Sequence, residues 1–183
     1  MVTVDGFGVP VDVAGPDKGS VVVVLGAANN SATAYEAVCR RLHTASLRTV
    51  VIGPDPRLTA KSVVGILDAL DVKWALLVGD RVGGELAWEL AATRLDRFIG
   101  LVVIDRGHPR VADQNGVVRD EHCPPVELNT TALVSSAAAR AVVNASQRYV
   151  YGDFRVVDLL GRRNAAESTA QLAAEIVLRT STW

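Results

Sequence analysis

Short runs of aliphatic and β-branched residues alternate along this chain with longer stretches in which apolar positions recur every three or four residues. Val21–Leu25 is a run of five consecutive apolar residues, the pattern of a strand buried on both faces. Thr49–Ile52, Trp74–Val78, Ile99–Ile104, Thr131–Val134 and Arg155–Leu159 predict further strands. Between them, Thr33–Leu42 sets Ala34, Val38 and Leu42 on one helical face, and Leu58–Leu70 turns Val63, Val64, Leu67 and Leu70 inward. Gly83–Ala92, Ala137–Ser146 and Ala165–Leu178 predict three more helices. At the start, Val2–Val4 and Val9–Val13 predict two strands around the turn Asp5-Gly6-Phe7-Gly8. Strand followed by helix, repeated, specifies parallel strands joined by crossovers that cover both faces. The expectation is an α/β domain: a mostly parallel sheet of about eight strands, opened by an antiparallel hairpin. No repeat, low-complexity tract or linker divides the chain, so residues 1–183 are expected to form one domain.

One stretch carries more than a fold. In Leu77-Val78-Gly79-Asp80-Arg81-Val82-Gly83-Gly84 a buried strand runs through a glycine-rich turn directly into a helix. It resembles the nucleophile elbow of the α/β-hydrolase family, G-x-S-x-G, with Gly79 and Gly83 at the two glycine positions. The resemblance spans nearly the whole chain. Val2–Pro16 is similar to the family's opening hairpin, and Leu25-Gly26-Ala27-Ala28-Asn29 to its oxyanion loop. Leu101–Asp105 is similar to its sixth strand, and Gly161-Arg162 stands where a Gly-His precedes the last helix. The resemblance implies a doubly covered sheet with a crevice at the strand ends.

The departures bear on activity. Arg81 occupies the nucleophile position, and a guanidinium, cationic at any physiological pH, cannot attack a carbonyl. The acid is expected near Ser135 or Ser136, yet no Asp or Glu occurs from Leu128 to Gly152. Arg162 stands at the histidine position, and the last histidine is His122. Triad members act as a unit, so their joint replacement implies a pseudoenzyme that serves in binding or interaction. Two alternatives stay open: a hydrolase of ester or thioester bonds with non-standard residues, and a sensor of small anions that keeps the vestigial pocket. For the last, Gly26, Ala27, Arg81, Val82, Asp105 and Arg162 are the candidate ligand-binding residues, because guanidiniums and a helix N-terminus both attract anions. The bland reading pairs the arginines with Asp80, Asp105, Asp153 or Glu167.

Asp80 lies one residue short of the position at which haloalkane dehalogenases carry their aspartate. Asp105, His108, His122 and Cys123 could form a Cys-His pair, although loop histidines and a lone cysteine are ordinarily solvated or packed. Val24–Asn30 resembles a dinucleotide loop only faintly, lacking its later glycines. The segment Gly107–Pro125 is too short for a helical lid. Its Asn115-Gly116, between Val111 and Val117-Val118, predicts a small projecting hairpin or an ordered loop, and a projecting ribbon over an uncovered crevice implies a homodimer.

Composition narrows this further. A net charge of -1 provides no field for nucleic acid or an acidic membrane, and the apolar runs are too short to span a bilayer. The two cysteines, Cys39 and Cys123, form no CxxC pair, so neither zinc nor a disulfide framework is expected. No metal or cofactor is expected. Met1–Gly6 lacks a basic region before an apolar one, so no signal peptide is expected and the cytoplasm is the default location.

Overall fold

A computed structural model describes residues 1–27, 32–159 and 165–181. Among them are seven strands: β1 (Val11–Ala14), β2 (Val21–Leu25), β3 (Arg48–Ile52), β4 (Ala75–Asp80), β5 (Phe98–Ile104), β6 (Thr130–Val134) and β7 (Phe154–Asp158). The helices are α1 (Glu36–Thr44), α2 (Ala60–Ala69), α3 (Val82–Thr93), α4 (Ala137–Ser146) and α5 (Ala165–Thr180). The strands form one sheet in the order β1-β3-β2-β4-β5-β6-β7, parallel except for β1.

Alternation along the strands sorts the core. Val22, Val24, Leu76, Val78 and Val102 meet α1 and α5 on one face. Val23, Leu25, Leu77, Leu101 and Val103 meet α2, α3 and α4 on the other. A strand buried on both faces needs both sets of side chains apolar, which is why β2 and β4 read as continuous runs. Thr59 and Ser136 begin α2 and α4, each accepting a backbone N–H three residues on, from Ser62 and Ala139, at 3.1 Å.

Three expectations are corrected or narrowed by what is observed. The sheet has seven strands rather than about eight, because Val2–Val4 forms a single antiparallel bridge, Val2 to Gly8. The segment wraps α2 instead: Asp5 accepts a hydrogen bond from the Ser62 hydroxyl at 2.5 Å, and Arg57 sits 4.4 Å over the Phe7 ring. Of the two forms expected at Val111–Val118, hairpin or ordered loop, the chain adopts the second, a closed loop without strands. The Asp113 carboxylate accepts the N–H groups of Asn115 and Val117 at 2.8 and 3.0 Å, and Arg119 N–H returns to Pro109 O at 3.1 Å. An Asx turn of this kind competes with a strand ladder, so the loop offers no ribbon for pairing across a two-fold axis. Finally, Trp74 stays outside β4, 64% exposed, and the first helix begins as a 3-10 turn at Ala32–Tyr35 before α1.

Candidate functional site

The elbow is built as its glycines imply. Arg81, between β4 and α3, has φ 50° and ψ −105°, a conformation that costs a non-glycine residue about 1–3 kcal/mol. The surrounding backbone enforces it. A Cβ on Gly83 would lie 2.1 Å from the Leu25 carbonyl oxygen, and one on Gly79 would lie 2.5 Å from the Ala87 Cβ.

At the apex the guanidinium folds back on its neighbour. Arg81 donates to both Asp80 oxygens, at 3.2 and 3.3 Å. Asp80 is buried, whereas the Arg81 side chain is half exposed. Asp80 Oδ2 also accepts from the Tyr35 hydroxyl at 2.7 Å, and that hydroxyl accepts the Ala27 N–H at 2.9 Å. The Gly26 N–H is donated to Ile52 O at 3.3 Å. A continuous chain of hydrogen bonds therefore runs from the loop after β2, through Tyr35 and Asp80, to the elbow arginine.

Asp105, with φ 52°, ends β5 and is joined to the end of β6. Its carboxylate accepts the Ser135 N–H at 2.7 Å and the Ser135 hydroxyl at 2.5 Å. Ser136 is the cap of α4. Arg162 and Glu167, like Ala28 and Asn29, lie outside what is described of the backbone or its side chains.

Between β5 and β6 the chain crosses the top of the sheet as a strap. Arg106 donates its Nε to Arg81 O at 3.1 Å, and its backbone carbonyl accepts the Trp88 indole N–H at 3.1 Å. Arg106 and Arg119 both pair with Glu85, on the first turn of α3. His108 anchors the next step. Its Nε2–H donates to Pro124 O at 3.0 Å, its Nδ1 accepts the Arg110 N–H at 3.2 Å, and its ring stacks on Tyr149 at 4.8 Å.

This network sets His108 as a neutral imidazole, and burial pushes its pKa below 6.5. An unfolded chain binds a proton there that the folded chain does not. The stability contribution is therefore complete above about pH 6.5 and is lost as pH falls from there through the lower folded value. Urea midpoints measured from pH 7.5 to 5 are expected to fall more steeply for the parent protein than for His108→Gln.

The proposed Cys-His pair does not form. The Cys123 thiol points at Pro124 O, 3.7 Å away, the same carbonyl that takes the His108 proton. Burial, with the charges of Asp120 and Glu89, pushes the thiol up to about 11, so it is no nucleophile at neutral pH. His122 is exposed.

The strap divides the crevice in two, and Pro109 and Arg119 line both halves. The larger half, about 520 Å³, is walled by Leu25, Gly26, Ile52, Pro54, Val82 and Leu86. The smaller, about 450 Å³ and more polar, holds Arg81, Asp105, Ser135 and Ser136. The residues singled out as one ligand set are thus split: Gly26 and Val82 in one cavity, Arg81 and Asp105 in the other, and Ala27 buried behind them. Glu85, Glu89, Arg119 and Tyr35 were not anticipated. Glu85 and Glu89, four apart at the start of the helix after the elbow, are the signal that was readable. Tyr35 had none.

Among the described residues no group of three His, Cys, Asp or Glu side chains is placed to hold a metal ion. None of their helices is long and apolar enough to cross a membrane.

Neither a protein-family model nor a curated protein matches the sequence. Solved structures do. An esterase from Exiguobacterium antarcticum superposes with a TM-score of 0.75 at 13% identity, over 96% of this chain and 98% of its own. A hydrolase from Pseudomonas aeruginosa PA01 gives 0.73 at 15%, over 98% and 95%. An enol-lactonase from Burkholderia xenovorans LB400 gives 0.71 at 13%, over 94% of each chain. With its parallel sheet, covered faces and strained elbow, this chain has the α/β-hydrolase fold.

Proposed function

We propose that this chain is a non-catalytic member of the hydrolase-fold class, a binding protein that keeps the crevice without acyl-transfer chemistry. The observation that carries this reading is the state of the elbow. Its apex holds a guanidinium ion-paired to Asp80, and the Tyr35 hydroxyl takes up both the remaining reach of that carboxylate and the Ala27 N–H. A nucleophile needs a base within hydrogen-bond reach. His108, the imidazole that lines the Arg81 cavity, has both ring nitrogens committed to backbone groups. The anion-sensor reading draws less support, because Asp80 already balances Arg81.

One observation favours a second reading, a hydrolase of ester or thioester bonds. The Ser135 hydroxyl and the Asp105 carboxylate, 2.5 Å apart, face the same cavity as Arg81, and the structural neighbours include an esterase and an enol-lactonase. Turnover of p-nitrophenyl acetate and butyrate separates the two. The expected rate is that of buffer alone, for the parent protein and for Arg81→Ser, which supplies a hydroxyl but no base. Turnover that survives purification and is abolished by Ser135→Ala or Arg81→Ala would replace the binding reading with the catalytic one.

A further inference from the structure

We infer that the larger half of the crevice takes a small amphiphile with an apolar body and a cationic head, of the alkyl- or arylammonium class. The head would sit between Glu89 and Asp120. The inference rests on the reading of the chain as a binding protein and adds the chemistry of the ligand.

The cleft has the size and lining of a small-molecule site: about 520 Å³, within the usual range of roughly 300–1,000 Å³. Its walls are Leu25, Ile52, Pro54, Pro56, Leu58 and Leu86, which would desolvate an apolar body and give it nothing to hydrogen-bond. Polarity is confined to the rim, and it is unbalanced. Asp55, Glu85, Glu89 and Asp120 line the cleft against one guanidinium, Arg119.

Two of these carboxylates are already answered. Asp55 is held by Arg57 at 2.8 Å, and Glu85 is shared by Arg106 and Arg119. Glu89 and Asp120 have no cationic side chain within ion-pair distance among the described residues. Asp120 accepts the His122 N–H at 2.8 Å. Both carboxylates line the same cleft and both are exposed, and partial burial, with the charge of Asp120 added to it, raises the Glu89 carboxyl. Like charges at the mouth of one cleft repel, and a cation held by the pair offsets the repulsion while its tail fills the apolar walls. An anionic head would add a third negative charge at the same place. A bare divalent ion is a poor fit, since no third protein ligand of suitable type stands beside the pair.

Calorimetric titration at pH 7 with octyltrimethylammonium, 1-octanol and octanoate tests this, because each is an eight-carbon chain and the three differ in head charge. The ammonium is expected to bind about tenfold or more tighter than octanol, and octanoate more weakly than octanol. In Glu89→Gln/Asp120→Asn the order should collapse, with the ammonium losing at least tenfold and octanol changing little. Equal or tighter binding of octanoate, an unchanged preference in the double variant, or no binding of any of the three would overturn the inference. Ester turnover assayed on the same samples is an independent readout. Turnover would remove the non-catalytic reading and leave the head-group order standing, whereas a wrong order without turnover would remove only the ligand class.

Discussion

Replacing Gly83 by alanine is expected to destabilise the protein by about 3 kcal/mol or more, in the range of severe overpacking. The direction is not obvious from propensity. Gly83 lies in the first turn of α3, and alanine in a helix is favoured over glycine by about 1 kcal/mol. Packing decides the matter. The added methyl would lie 2.1 Å from Leu25 O, 2.6 Å from Leu25 C and 2.8 Å from Gly26 O. All three are backbone atoms of the last residue of β2 and the residue after it, so relief requires α3 to lift from the sheet. Gly84→Ala is the matched control. Its nearest neighbours are the Arg106 Cβ at 2.9 Å and Cγ at 3.3 Å, so the strap backbone that carries Arg106 must shift, and the cost should be smaller than at Gly83 because the overlap is smaller. Urea midpoints of the two variants against the parent check the order. Equal losses would mean that the close approach at Gly83 is not what fixes the elbow.

Trp88→Ala is expected to cost about 3–5 kcal/mol, the usual range for removing a large aromatic side chain from a core. Trp88 is fully buried, meets the edge of His108 at 5.4 Å and donates its indole N–H to Arg106 O. It therefore joins α3 to the strap as well as filling space. Trp88→Phe separates the two roles: it keeps most of the volume, loses the hydrogen bond, and leaves the Arg106 carbonyl unanswered, for about 1–3 kcal/mol. Limited proteolysis between Gly107 and Pro125 should quicken in Trp88→Phe before global stability collapses. A strap cut no faster than in the parent would mean that the Glu85 ion pairs and the His108 contacts hold it without the indole hydrogen bond.

Most of the sheet was legible because a strand covered on both faces must be apolar throughout. β2, β4 and β5 could hardly be read otherwise, and the glycine pair of the elbow marked a place where chain segments approach closely, Gly83 against the end of β2 above all. The reading departed from the structure where an aspartate found a partner that periodicity does not show: Asp5 reaches the Ser62 hydroxyl, 57 positions away, and draws Val2–Val4 onto α2. At Asn115-Gly116, where a hairpin and an ordered loop were both expected, Asp113 takes the backbone N–H groups and the loop forms. These outcomes depend on tertiary neighbours or on Asx geometry, which hydrophobic periodicity does not register. Site residues were half visible. Arg81 and Asp105 stood at recognisable strand ends, whereas Tyr35 meets Asp80 across 45 positions of sequence. The division of one expected site into two cavities arises from the strap, whose path is set by Glu85, Trp88 and His108 together.

The placement of α5 bears on how the chain is made. Strands β4, β5, β6 and β7 sit in the sheet in the order in which they are synthesised, so each can dock on its predecessor as it leaves the ribosome. The face shared by Val24, Leu76, Val102 and Leu133 is different: beyond what α1 covers, it is closed by Leu172, Ala173 and Ile176 of α5, which follows every strand. A nascent chain that has emerged as far as β7 therefore carries a complete sheet with one apolar side still open. Such intermediates are prone to aggregation. A chain with Asp158 but not Ala165 clear of the ribosome is at the stage that depends most on a chaperone, and release of the chaperone should coincide with the emergence of Ile176.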